Sequence, residues 1–138
     1  MLYSRNGRKD DLVVRGARVL DPGENVDAVL DVRVDEGVIA QLGAHVDTNE
    51  HRVVEGNGLV LAPAFVDPHV HLRVPGGEDE ETIASGTAAA AAGGYCAILA
   101  MPNTDPVVDS AAVLGSLIED AKAQAQVPVE AAEPLEVA

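Results

Sequence analysis

Aromatic side chains are almost missing from this sequence of 138 residues: Tyr3, Phe65 and Tyr95 make up 2% of it. So few rings leave little platform for stacking the bases of single-stranded nucleic acid. Cations are scarce too, with 9 Lys and Arg against 23 Asp and Glu and a formal charge of −14. That balance argues against a phosphate-backbone binder and against an anionic membrane surface, because both draw their affinity from clustered Lys and Arg. One cysteine, Cys96, excludes an internal disulfide framework and a cysteine-rich zinc module. No apolar run reaches the roughly 18 residues of a membrane-spanning helix. The opening MLYSRNGRKDDL lacks the apolar core of a signal peptide, so a cytoplasmic location is expected.

What is present is a chain of 47% hydrophobic residues, mostly Ala, Val and Leu. That content suits a packed domain and not a disordered one. Charge is unevenly spread. Residues 1–62 hold 7 basic and 11 acidic groups, whereas residues 63–138 hold 2 and 12. In the second segment only Arg73 and Lys122 are cationic, which leaves Arg73 among carboxylates.

The first 62 residues read as short strands, at Leu12 to Val14, Ala28 to Val34 and Gly37 to Leu42. Breaks fall at Asp21-Pro22-Gly23, Glu36-Gly37 and Gly56-Asn57-Gly58. This predicts a small β-sandwich or part of one. From Leu59 the pattern changes, and Leu59-Val60-Leu61 with Ala64-Phe65-Val66 reads as one strand buried on both faces. A helix is expected from about Glu78 to Ala92, with Glu78 to Glu81 at the positive end of its dipole and Gly93-Gly94 as its stop. Tyr95 to Ala100 reads as a buried strand and Asp109 to Gln126 as a helix capped by Asp109 or Ser110. Val127-Pro128-Val129 opens a third strand, and residues 130–138 read as a frayed end. Alternating strands and helices predict an α/β fold with parallel βαβ units over residues 63–129.

The densest chemistry lies in Phe65-Val66-Asp67-Pro68-His69-Val70-His71-Leu72-Arg73. On an extended strand, His69 and His71 project to one face. Two imidazoles there can chelate one metal ion, and imidazole is a usual neutral ligand of Zn²⁺. The alternative is two incidental histidines at a strand end. Arg73 reads either as an anion-binding group or as a surface partner of Glu78 or Asp79. Asn103 is either a binding residue or a turn residue in Pro102-Asn103-Thr104-Asp105-Pro106. Asp67 reads as a structural hydrogen-bonding residue, Cys96 as a buried strand residue, and His45 and His51 as residues outside any metal site.

Ala62 to Gly76 together with Met101-Pro102-Asn103-Thr104-Asp105-Pro106 resembles the class I dihydroorotases of the amidohydrolase superfamily. The resemblance implies the start of a (β/α)8 metal-dependent hydrolase barrel preceded by a β-sandwich segment. It implies Zn²⁺, one or two ions per complete site, with His69 and His71 as ligands. It implies further that His71, Arg73 and Asn103 bind the substrate, Arg73 as a bidentate fork on its carboxylate. The implied reaction is the reversible cyclisation of N-carbamoyl-L-aspartate to dihydroorotate in pyrimidine biosynthesis. Two positions depart from the family pattern: Ala64 stands where glycine is usual, and Glu80 where lysine is common.

A (β/α)8 barrel takes about 250 residues, so the resemblance implies roughly the first third of such an enzyme, truncated and inactive alone. No catalytic carboxylate or further ligand is identifiable. Two other readings are a cyclic-amide hydrolase of hydantoinase or allantoinase type and a non-catalytic, dihydroorotase-like subunit that partners aspartate transcarbamoylase. Arg73 and the Met-Pro-Asn-Thr stretch argue against the first, and the retained His69 and His71 against the second. Partners expected are a small-molecule substrate and, by resemblance, another copy of the chain or aspartate transcarbamoylase.

Overall fold

A computed structural model describes residues 11–131. The charged opening segment up to Asp10 and the acidic stretch after Ala131 lie outside the described residues. The chain divides into two compact units, one ending at Pro63 and one running from Ala64.

The first unit is a single mixed sheet built from β1 (Leu12–Asp21), β2 (Val26–Asp35), β3 (Val38–Gly43), β4 (Arg52–Glu55) and β5 (Val60–Leu61). Its order is β3-β2-β1-β4, with β5 also paired to β1. Strands β1, β2 and β3 form antiparallel hairpins, while β4 and β5 run parallel to β1. Where a small sandwich or part of one is expected, the described residues form one sheet. Val13, Ala17, Val19 and Val32 are buried, whereas Val29, Val38, Ile39 and Leu42 are exposed. Buried Asp31 accepts from the Gly16 amide at 2.8 Å and steadies the irregularity in β1 between Val14 and Ala17.

The second unit alternates as the sequence predicts: β6 (Phe65–Val70), α1 (Ile83–Ala92), β7 (Tyr95–Ala100), α2 (Ala111–Gln124) and β8 (Val129–Ala131). The three strands are parallel in the order β6-β7-β8. Two clusters fill the interior. Leu72, Ile98, Ala100 and Val127 form one, and Ile83, Val108 and Leu117 the other. The described residues of this unit thus alternate strand and helix around a three-stranded parallel sheet. None of their helices is long and apolar enough to cross a membrane.

Three boundaries differ from expectation, each for a physical reason. The apolar run from Leu59 to Val66 is not one strand, because Ala62-Pro63-Ala64 separates β5 in one sheet from β6 in the other. Phe65 and Val66 are more than half exposed rather than buried on both faces. Helix α1 starts at Ile83 because Thr82 and Ser85 cap it reciprocally, so Glu78 to Glu81 precede the helix. Strand β8 continues through Glu130 and Ala131, past the point at which fraying was expected. Ala64 does not take a positive φ, so alanine fits where the family pattern has glycine.

Helix α1 lies close to the strand side of its unit. A Cβ at Gly86 would stand 2.6 Å from Leu72 Cδ2, so any larger residue there would have to displace the buried Leu72 side chain. Thr87, fully buried, donates its hydroxyl to the Ile83 carbonyl at 2.6 Å and accepts from the Gln126 amide at 3.0 Å. That second bond joins α1 to the turn between α2 and β8.

Candidate functional site

Parallel pairing of β6 with β7 sets Asp67 beside Ile98 and Val70 beside Ala100. The pairing extends one step further, as the Met101 amide donates to the Val70 carbonyl at 2.9 Å. His71 and Asn103 therefore leave neighbouring strands at the same, C-terminal end, where α/β barrels place their chemistry.

His69 and His71 come together as the two-residue spacing predicts. Their ring centroids are 5.1 Å apart, edge to face. Asp67 serves the local turn, its Oδ1 accepting from the His69 amide at 3.1 Å. His71 Nδ1 lies 2.7 Å from Asn103 Oδ1, a contact across 32 residues that sequence reasoning missed. An amide oxygen only accepts, so this contact is a hydrogen bond in the tautomer with the proton on Nδ1. Asp67, His71 and Glu81 border a cleft of about 320 Å³ alongside α1.

Arg73 is exposed, and its Nε lies 3.4 Å from Glu80 Oε2. The surface partner is thus Glu80 and not Glu78 or Asp79. Glu78 turns elsewhere, accepting from the Gly76 amide at 3.0 Å. An ion pair this open to solvent is worth at most about 1 kcal/mol, so an incoming carboxylate can displace it.

The loop carrying Arg73 is pinned to the loop carrying Asn103. The Asp105 amide donates to the Pro75 carbonyl at 3.1 Å. Gly76 has φ +98°, and a Cβ there would lie 2.0 Å from the Asp105 carbonyl oxygen. Thr104 fastens its own loop by donating to the Pro106 carbonyl at 2.8 Å.

No group of three or more His, Cys, Asp or Glu able to hold a metal occurs among the described residues. The two imidazoles of His69 and His71 would offer two nitrogen donors, half of what a four-coordinate zinc takes. His45 and His51 belong to the first unit. His51 is occupied there, its Nε2 2.6 Å from Asp35 Oδ1. That bond, aided by Arg33 and opposed by partial burial, holds the Asp35 carboxyl below the usual carboxylate range. Cys96 is a half-buried free thiol on β7.

Comparison with known proteins accords with this geometry. The family model described as dihydro-orotase-like matches residues 58–136. A dihydroorotase of Solibacter usitatus is 47% identical over 118 residues, 86% of this chain and 27% of that protein. One of Geobacter metallireducens is 44% identical over 120 residues, again 86% of this chain and 28% of the relative. Among solved structures, the L-hydantoinase (dihydropyrimidinase) of Arthrobacter aurescens aligns with a TM-score of 0.75 at 22% identity. That alignment covers 88% of this chain and 27% of the hydantoinase, and shows a shared fold. The chain thus spans between a quarter and a third of the length of the curated relatives it matches. With its matched segment covering more than half of the sequence, and with paired histidines at the end of a parallel strand, the chain belongs to the dihydro-orotase-like family.

Proposed function

We propose that this chain carries the first metal ligands and the carboxylate-binding residues of a zinc amidohydrolase that interconverts N-carbamoyl-L-aspartate and dihydroorotate. The observation that carries the reading is the edge-to-face pair His69 and His71 at the end of β6, with His71 Nδ1 tied to Asn103. His69 and His71 would hold zinc through ring nitrogens. The chemistry zinc supplies in such a site is activation of water and polarisation of an amide carbonyl.

The chain's own residues do the positioning. Arg73 presents a guanidinium that can grip a carboxylate through two parallel N–H bonds once Glu80 releases it. Asn103, on the adjoining loop, offers a second donor to the same anion. An anchor at the substrate carboxylate holds the amide carbon at a fixed distance from the histidines, which is how binding energy becomes rate. No carboxylate among the described residues is assigned to proton transfer. Arg73 and Asn103 also favour a carboxylated cyclic amide over an uncharged hydantoin ring.

Two experiments test this. Zinc binding to the 138-residue chain should be weak, as befits two nitrogens, and should vanish in the His69→Ala, His71→Ala double variant. A chimera in which residues 58–131 replace the matching segment of the Solibacter usitatus dihydroorotase should turn over N-carbamoyl-L-aspartate. There Arg73→Ala should keep zinc and lose roughly ten- to a hundred-fold in kcat/KM, the worth of a charge-assisted contact. Full zinc content in the double variant, or unchanged kinetics in Arg73→Ala, would overturn the assignment.

A further inference from the structure

We infer that Asn103 uses both ends of its amide. Oδ1 fixes His71 in the tautomer that leaves Nε2 for the metal, while Nδ2 donates to the substrate carboxylate. The inference rests on the reading just given and adds a positioning role for Asn103.

Three observations carry it. First, His71 Nδ1 lies 2.7 Å from the amide oxygen, which cannot donate, so the contact favours the tautomer with its proton on Nδ1. A histidine side chain free in water prefers the opposite tautomer, with its proton on Nε2, so the protein has to impose this one. Metal-binding histidines generally donate their remaining ring N–H to such an acceptor, which sets both ring orientation and basicity. Second, Asn103 is held for the purpose. The Met101 amide joins β6 at Val70, the Thr104 hydroxyl bonds Pro106, and the Val108 amide returns to the Pro102 carbonyl at 3.1 Å. Third, no hydrogen bond engages Nδ2 among the described residues, and Arg73, the other anion anchor, leaves the adjoining strand two residues after His71.

Residue chemistry makes the double role specific. An aspartate would accept from Nδ1–H equally well but would repel an anionic substrate. An alanine would do neither. Asparagine alone among residues of this size accepts at one atom and donates at the next.

The test uses the 138-residue chain labelled with ¹⁵N-histidine. Long-range ¹H–¹⁵N correlation should show His71 protonated at Nδ1 in the metal-free chain and in Asn103→Asp, and protonated mainly at Nε2 in Asn103→Ala. Zinc affinity, measured against a chromophoric chelator, should stay within about threefold in Asn103→Asp and fall roughly ten- to a hundred-fold in Asn103→Ala. In a second sample labelled with ¹⁵N-asparagine, titration with N-carbamoyl-L-aspartate should shift the Asn103 side-chain amide signals, and Asn103→Asp should weaken that ligand's binding despite intact zinc. Where the chain aggregates, the same measurements on the chimera decide the matter. An Nε2–H tautomer in the parent, or zinc affinity lost equally in both variants, overturns the inference. If the His69→Ala, His71→Ala variant loses zinc while Asn103→Ala keeps it, the inference alone falls. If the double variant keeps zinc, the functional reading beneath it falls.

Discussion

Replacing Gly76 by alanine strikes the point where the two site loops meet. Two costs add. A side chain at φ +98° sits in a region that L residues avoid, at about 1–3 kcal/mol. The new Cβ would also lie 2.0 Å from the Asp105 carbonyl oxygen and 2.9 Å from its carbon. Both are backbone atoms, so relief needs one loop to retreat by about an ångström, an overpacking cost of about 1–3 kcal/mol. Together the substitution should destabilise by roughly 2–6 kcal/mol, a large share of the stability of any small domain. Asp105 is two residues from Asn103, so its retreat should also loosen the His71 contact and weaken zinc binding. Urea unfolding followed by circular dichroism reads the first effect, and chelator competition the second. Gly115 supplies the control: it lies in α2, and a Cβ there would meet nothing within 4 Å. Gly115→Ala should therefore be neutral or stabilise by up to about 1 kcal/mol. A Gly76→Ala variant that unfolds with its parent would refute the close packing of the loops.

Three other perturbations have defined outcomes. Thr87→Val keeps the side-chain shape but leaves the Gln126 amide without its acceptor, so it should cost about 1–3 kcal/mol and speed hydrogen exchange at Gln126. An unaltered urea midpoint would contradict this. Glu80→Gln removes the competitor for Arg73, and in the chimera it should lower KM for N-carbamoyl-L-aspartate by up to about fivefold. A raised KM would mean that Glu80 assists binding. Asp35 has its folded carboxyl held below the ordinary range by His51 and Arg33. Its contribution is therefore complete above the ordinary carboxylate range and lost as pH falls through the lowered folded value. Stability between pH 5 and 3 should drop less steeply in Asp35→Asn than in the parent, and coincident slopes would rule the pairing out.

The elements read most accurately from sequence are those with strong punctuation. Tyr95 to Ala100 follows two glycines and matches β7 residue for residue. Ser110 caps α2 because its side chain accepts from the Val113 amide. The run from Leu59 to Val66 misleads because its apolar content records neither burial nor the sheet that each part joins. Val60 pairs with Arg18 in one sheet while Phe65 pairs with Tyr95 in the other. Glu78 to Glu81 look like a charged first turn, yet the Thr82–Ser85 pair competes better for the same backbone amides. At the site, the spacing of His69 and His71 is local and therefore legible. The contacts of His71 with Asn103 and of Arg73 with Glu80 depend on how two loops meet, which no pattern along the chain encodes.

The bond from the Gln126 amide to the Thr87 hydroxyl bears on how such a chain can be recombined. A strand and the helix after it look like an exchangeable cassette, with a natural seam at Gly93-Gly94. Here the first cassette contributes an acceptor on which the exit of the second depends. A donor segment spliced in at that seam inherits an unanswered amide unless it meets a hydroxyl or its equivalent at position 87. Shuffling between relatives should therefore succeed when the crossover falls outside residues 87–126, and fail more often within them.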